Sequence, residues 1–208
     1  VGPRSTSPWL PPTQMAAPLL AQAVLHACMS VAATPSALSL RTPAAVYSYL
    51  EGRWAVKKRL DYATPLGWRG NMEGEVTVEP RATQPSVLMW QERGDMRLDS
   101  MPGQRIPTHK NLAVRCNEDW PVSVFFVDGE LAEATDDGWG VKKTQNLFVH
   151  LRPEPNGELR FGFDHLCIND LYTGYMCFDG PDSFRWDWTI KGPNKDGHIT
   201  QTFNRIRQ

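Results

Sequence analysis

The stretch Ser183-Phe184-Arg185-Trp186-Asp187-Trp188-Thr189-Ile190-Lys191 alternates apolar and polar residues without a break. A period of two marks a strand with one buried and one wet face, so Phe184, Trp186, Trp188 and Ile190 point into whatever the chain encloses. Its neighbours carry the same signal. Leu159, Phe161 and Phe163 alternate with Arg160, Gly162 and Asp164, while Leu171 to Phe178 and His198 to Ile206 read as further strands. Asp179-Gly180-Pro181-Asp182 and Gly192-Pro193-Asn194-Lys195-Asp196 have turn composition and join them.

Earlier in the chain the pattern repeats with more interruptions. Thr42 and Pro43 suit the N-cap and first position of a short helix that Gly52 is placed to end. Gly52-Arg53-Trp54 then opens the β region. Trp54, Val56 and Leu60 share one face, and Lys58, by parity, shares it with them. Glu73 to Glu79 reads as a strand that Pro80 stops, and Val87-Leu88-Met89-Trp90 is apolar on both faces, hence covered on both. Gly94-Asp95 predicts a turn before a short return strand, Met96-Arg97-Leu98. Thr64-Pro65-Leu66-Gly67 is turn-rich, Val122 to Val127 ends at an Asp128-Gly129 hairpin signal, and Asp136-Asp137-Gly138-Trp139-Gly140 reads as a surface insertion. Leu147-Phe148-Val149-His150-Leu151 resumes a strand.

The count is about nine or ten strands, one early helix, and no alternation of helices with strands, which rules out a parallel α/β architecture. A meander of this length closes into an antiparallel barrel or stacks into a sandwich; closure removes the exposed edges, so the barrel is preferred. A barrel of this size encloses room for about one small ligand.

With 208 residues the chain supports one good core. Its net charge of −1 gives no reason to expect nucleic acid or an anionic membrane surface as partner. Residues 1–41 form a leader rich in Pro, Ala, Ser and Thr, without Asp or Glu, and 42–208 form the barrel domain. The leader's composition is that of a poorly ordered or organelle-targeting segment in an otherwise intracellular protein, and its apolar run, Met15 to Ala33, is broken by Gln22 and His26 and too short for a stable membrane span. The cysteines Cys28, Cys116, Cys167 and Cys177 include no Cys-x-x-Cys pair; buried free thiols are expected, with a Cys167–Cys177 bridge as the alternative.

Leu50-Glu51-Gly52-Arg53-Trp54, Val124-Phe125-Phe126-Val127-Asp128-Gly129, His165-Leu166-Cys167, Asp170-Leu171-Tyr172 and Gly192-Pro193-Asn194-Lys195-Asp196, in that order, resemble the domain-of-unknown-function family 6314. The resemblance runs from about Val46 to Arg207 and implies a lipocalin-like, calycin-type barrel. Gly52-x-Trp54 is similar to the lipocalin Gly-x-Trp, which implies a structural role for Gly52 and Trp54, with Arg205 packed over the indole at the barrel base. No activity comes with the resemblance.

Candidate site residues follow from the barrel. Trp186 and Trp188 would contact a flat or acyl ligand, with His165, Tyr172 and Lys195 at its polar end. Lys58 is included because an inward lysine is either paired or meets ligand, and His150 because the family carries a Phe-His segment there. The preferred function is binding of a small apolar or amphipathic molecule, with no cofactor identified and no metal assigned. An isomerase- or lyase-type enzyme using His165 and Asp170 is one alternative, and a filled barrel serving as an interaction module for a protein partner is another. The plainer role for His165 and Asp170 is hydrogen bonding to loop backbone.

Overall fold

The structure, a computed structural model, describes residues 39–63, 67–127, 147–155 and 157–207, with backbone alone at 157 and 158. The expected leader (apart from its last three residues), Cys28, the turn at 64–66, the Asp128-Gly129 hairpin signal and the insertion at 136–140 lie outside the described residues.

Helix α1 (Pro43–Leu50) precedes ten strands: β1 (Gly52–Tyr62), β2 (Arg69–Arg81), β3 (Gln84–Leu98), β4 (Ile106–Arg115), β5 (Val122–Phe126), β6 (Leu147–Glu154), β7 (Gly157–Cys167), β8 (Asp170–Gly180), β9 (Ser183–Lys191) and β10 (Gly197–Arg205). Each strand pairs antiparallel with its sequence neighbours, and β1 also pairs with β10, so the meander closes into a barrel. The predicted lipocalin-like barrel is therefore the fold.

The barrel has a sealed end and an open end. At the sealed end, Thr42 Oγ1 accepts the Ala45 N–H at 3.2 Å, starting α1 as an N-cap. The helix buries Val46, Tyr49 and Leu50 against the barrel floor. There Trp54 meets Phe184 edge-on at 4.8 Å, and Phe184 stacks on Phe203 at 4.3 Å. Burying each such side chain stabilises the fold by about 1.5–3 kcal/mol. Two polar ties hold the helix in place. Trp54 Nε1 donates to Leu50 O at 2.9 Å, and Tyr49 Oη donates to Gly180 O at 2.7 Å. The Arg205 guanidinium lies 4.1 Å over the Trp54 ring and donates to the carbonyls of Tyr49 and Glu51 at the end of α1. Gly52 has a φ of +126°, and a Cβ there would sit 2.9 Å from Arg205 Nη1.

Two expectations are corrected. Gly94-Asp95 is not a turn: β3 runs unbroken through it, and Gly94 pairs with Gly74 of β2. A Cβ on Gly74 would lie 2.1 Å from Arg93 O, and one on Gly94 2.4 Å from Glu73 O. The paired glycines mark a tight bend in the wall rather than a chain reversal. Second, β2 continues to Arg81, with a register shift between Pro80 and Arg81, so Pro80 sits at a bulge instead of ending the strand. The double-sided apolar run of β3 is covered on both faces, as expected: Leu88 and Trp90 belong to the lumen core, while Val87 and Met89 pack in a second cluster with Ala113, Phe125 and Val127. Cys116 and Cys167 are free thiols, and Cys177 forms no disulfide with either. Cys167 pairs with Asp170 and Cys177 with Arg160, which places the two cysteines at opposite ends of the β7–β8 hairpin.

Candidate functional site

Inward side chains change character along the barrel axis. Near α1, Trp54, Phe161, Phe178, Phe184 and Phe203 are fully buried and fill the lumen. Toward the other end, Phe126, Phe148, His165, Tyr172 and Ile199 are half-buried, so the lumen opens there. The open end carries an aromatic wall. Phe148 stacks on Trp188 with centroids 4.9 Å apart, Phe126 lies 4.2 Å from Phe148, and Phe163 is 4.3 Å from Trp188. Gly174, opposite Trp188 in the β8–β9 register, makes room for this packing, because a Cβ there would lie 2.8 Å from Phe163 Cζ and 2.0 Å from Asp187 O. His165 pairs with Tyr172 across β7 and β8, and its ring lies 5.7 Å from Phe148.

The polar edge of this wall is Tyr172 and Lys195. Lys195 Nζ donates to Tyr172 Oη at 3.0 Å, a bond that raises the lysine pKa above its ordinary value, and the ammonium therefore stays charged at neutral pH. Tyr62 faces the same pair; burial raises its pKa, Tyr172 adds to the rise, and Lys195 opposes it. Lys195 is placed by Asp170. The Asp170 carboxylate is buried, and Oδ1 accepts the backbone N–H groups of Asn194 and Lys195 at 3.0 and 3.3 Å. A Cβ on Gly192 would collide with that oxygen at 2.2 Å. Asp170 thus anchors the β9–β10 turn, with Oδ1 committed to its backbone. Burial lowers the His165 pKa, with Asp164 pulling in the other direction.

Below the aromatic wall an ionic brace lines the lumen along β1, β3 and β4. Lys58 Nζ lies 2.5 Å from Glu92 Oε1, with side chains only 11% and 5% exposed, and Lys110 Nζ lies 3.7 Å from Glu92 Oε2 and 5.7 Å over the Trp186 ring. Burial pushes the Lys58 pKa down to about 7; repulsion from Lys110 adds to this, and the Glu92 carboxylate opposes it. Gln201 stands between Lys58 and Trp186 in the register of β1, β10 and β9. Among the described residues, Glu92 Oε2, Gln201 Oε1 and the indole Nε1 atoms of Trp186 and Trp188 are buried without a hydrogen-bond partner. Buried indole N–H groups ordinarily find an acceptor.

Of the predicted site residues, His165, Tyr172, Trp188 and Lys195 come together at the mouth, and Lys58 and Trp186 lie on the level beneath. His150 does not join them. A register shift between Val124 and Phe125 against β6 leaves Phe148 and Val149 both in the core, and His150 is exposed on the outer wall, where its Nδ1 pairs with Ser123 Oγ at 3.0 Å. The sequence reading missed Tyr62, Glu92, Lys110 and Gln201. Their signal was parity: Tyr62 with Lys58, Glu92 with Trp90, Lys110 with Leu112, and Gln201 with Phe203. A concavity of about 1400 Å³ lies against Glu73, Glu75, Gln91, Arg93 and His109 and reaches Lys110 of the brace and Phe126 of the aromatic wall. Its carboxylates Glu73 and Glu75 are exposed and ion-paired with Lys57 and Arg53, so that side of it is a solvated outer face.

A closed antiparallel barrel with a sealed base and an aromatic, cationic mouth is the class this geometry defines. The chain belongs to the family of unknown function DUF6314, whose model matches residues 50–205. Curated proteins gave no match. Among solved structures, the chain is similar to an S-type phycobiliprotein lyase from Guillardia theta, at 10% identity and a TM-score of 0.53, covering 80% of this chain and 94% of that one. It is also similar to a de novo designed fluorescence-activating β-barrel, at 13% identity and a TM-score of 0.38, covering 77% and 97%. A protein of unknown function from Nostoc punctiforme matches at 11% identity and a TM-score of 0.43, covering 77% of this chain and 49% of that one. At such identity the likeness to the lyase is one of fold.

Proposed function

We propose that the protein binds a small, flat or amphipathic molecule at the open end of the barrel, its apolar body on Phe126, Phe148 and Trp188 and an acidic or carbonyl end toward Lys195 and Tyr172. The observation that carries this reading is the pair of half-buried rings, Phe126 and Phe148, that front the buried Trp188 and Phe163 at one end of an otherwise filled barrel. Apolar rings in contact with water are costly unless something covers them. The polar groups nearby agree on the chemistry of the other end: a charged ammonium, a tyrosine hydroxyl and two indole N–H groups without acceptors all favour a ligand rich in hydrogen-bond acceptors. Catalysis by a His165–Asp170 pair is disfavoured, since Asp170 is committed to the backbone of the β9–β10 turn.

The test is a fluorescence titration with 1-anilinonaphthalene-8-sulfonate, a flat aromatic anion. The wild-type protein should bind it saturably at one site. Lys195→Gln should weaken binding about tenfold through loss of one charge-assisted contact, and Phe148→Leu should weaken it by a smaller factor. Unchanged affinity in both variants, with unaltered melting temperatures, would remove the site from the mouth.

A further inference from the structure

The exposed apolar side chains show an asymmetry that neither the core nor the mouth requires. Among the described residues the large exposed hydrophobics are Trp68, Met101, Leu166, Ile168 and Leu171. All five belong to the open end. Trp68 stands between β1 and β2, Met101 between β3 and β4, and Leu166, Ile168 and Leu171 form the tip of the β7–β8 hairpin. None lies at the end that α1 seals. Random scatter of exposed apolar residues is ordinary; their confinement to one rim is not.

The rim is one connected structure. Asp170 ties the β7–β8 tip to the β9–β10 turn, Ala63 N donates to Asp196 O at 2.7 Å, and Asp99 N donates to Arg69 O at 2.8 Å. These bonds link four loops into an arc around the mouth. Leu166 and Leu171 face each other across the hairpin, and Ile168 caps it at 83% exposed. Ile168 also has a φ of +61°, the first central position of a two-residue turn, which glycine normally takes when φ is positive. A β-branched residue is thus held in a left-handed conformation with its side chain in solvent, which is unfavourable twice over in the isolated protein.

Charge narrows the partner. Among the described residues four cations around the rim are matched by carboxylates: Arg69 with Asp61, Arg59 with Asp99, Arg105 with Asp95, and Lys191 with Asp196, while the Lys195 ammonium is held by Tyr172. These described residues offer no cluster of unmatched cations to an acidic protein or a polyanion. Its apolar groups sit on separate loop tips around an opening rather than on one flat patch, a shape suited to a deformable interface that each tip enters by itself. Trp68 is of the residue type that favours the headgroup level of a bilayer. We propose that the open end docks peripherally on a phospholipid bilayer, with Trp68, Met101, Leu166, Ile168 and Leu171 as interfacial anchors and the mouth facing the lipid. The placement brings an amphipathic ligand to the aromatic wall directly from the membrane, although docking itself stands independently of the ligand-binding reading.

The test uses the full chain and vesicles of pure phosphatidylcholine, followed by sedimentation and by tryptophan quenching with dibrominated phosphatidylcholine. The wild-type protein should partition onto these uncharged vesicles, with little dependence on salt. Ile168→Asn combined with Leu166→Ser should lower the partition coefficient by about tenfold or more, since each tip contributes buried apolar area, and Trp68→Phe should reduce the quenching. Asn tolerates the left-handed turn, and a melting temperature no lower than that of the wild type confirms the fold of each variant. Three outcomes would overturn the proposal: no wild-type binding to phosphatidylcholine, binding only to anionic vesicles with loss in salt, or self-association that the tip substitutions abolish while lipid binding is absent.

Discussion

Replacing the brace between Lys58 and Glu92 with apolar side chains separates the cost of a buried pair from the cost of breaking one. Lys58→Met leaves the Glu92 carboxylate in the lumen with only Lys110, 3.7 Å from Oε2, for compensation. Losing one partner of a buried pair costs about 3–5 kcal/mol. Glu92→Leu should be milder near neutral pH and above, because burial already holds the Lys58 pKa at about 7 and the amine can shed its proton. What remains is a buried neutral amine, at about 1–3 kcal/mol. The double variant Lys58→Met/Glu92→Leu removes both groups and should lie within about 1 kcal/mol of wild type or above it in stability. Urea unfolding followed by tryptophan fluorescence measures all three. The pH dependence supplies a second check. The folded-state pKa of Lys58 lies below the unfolded value of 10.5, so between about pH 7 and pH 10.5 the unfolded chain binds more protons. Lys58 therefore makes stability rise with pH through that window, by at most about 1.4 kcal/mol per pH unit, and Lys58→Met should abolish that contribution. A single-variant loss below about 1 kcal/mol, or a double variant equal to the sum of the singles, would refute a coupled buried pair.

Three other substitutions probe the base, the wall and the rim. Arg205→Met removes the cation over Trp54 and two hydrogen bonds to the end of α1, and should cost about 2–4 kcal/mol in urea unfolding without altering anion binding at the mouth. Gly174→Ala places a Cβ 2.0 Å from Asp187 O and against Phe163; it should cost about 2–3 kcal/mol and weaken ligand binding, read from a thermal melt and the same fluorescence titration. Ile168→Asn should raise stability by about 1 kcal/mol, since Asn accepts the left-handed φ of +61°, and a fall in the urea midpoint would contradict the strain assigned to that turn.

The sequence revealed the barrel wherever apolar and polar residues alternate cleanly. The β9 stretch Phe184, Trp186, Trp188 and Ile190 faces the core throughout, and Lys58 was assigned inward by parity alone. Parity failed where the backbone departs from a simple pleat. Gly94 reads as a turn residue because glycine serves turns and tight wall bends alike, and only its cross-strand partner Gly74 tells them apart. His150 was misplaced because the shift at Phe125 puts an extra residue on β6, a feature that depends on the neighbouring strand. Glu92 and Lys110 went unnoticed for a related reason. Each has the inward parity of its strand, yet a lone charge reads as surface until the barrel sets Lys58, two strands from Glu92, within 2.5 Å of it. Asp170 shows the opposite case: it lies within five residues of His165 in sequence, yet its carboxylate is used by a turn more than twenty residues later.

The most direct test of a ligand-binding barrel is native mass spectrometry of the purified full chain, followed by denaturation and identification of what is released. The account predicts a stoichiometric small molecule with a flat or acyl apolar body and an acidic or carbonyl end, absent from protein carrying Lys195→Gln and Phe148→Leu together. A protein that is empty as purified, and still empty after incubation with a cell extract, would contradict it.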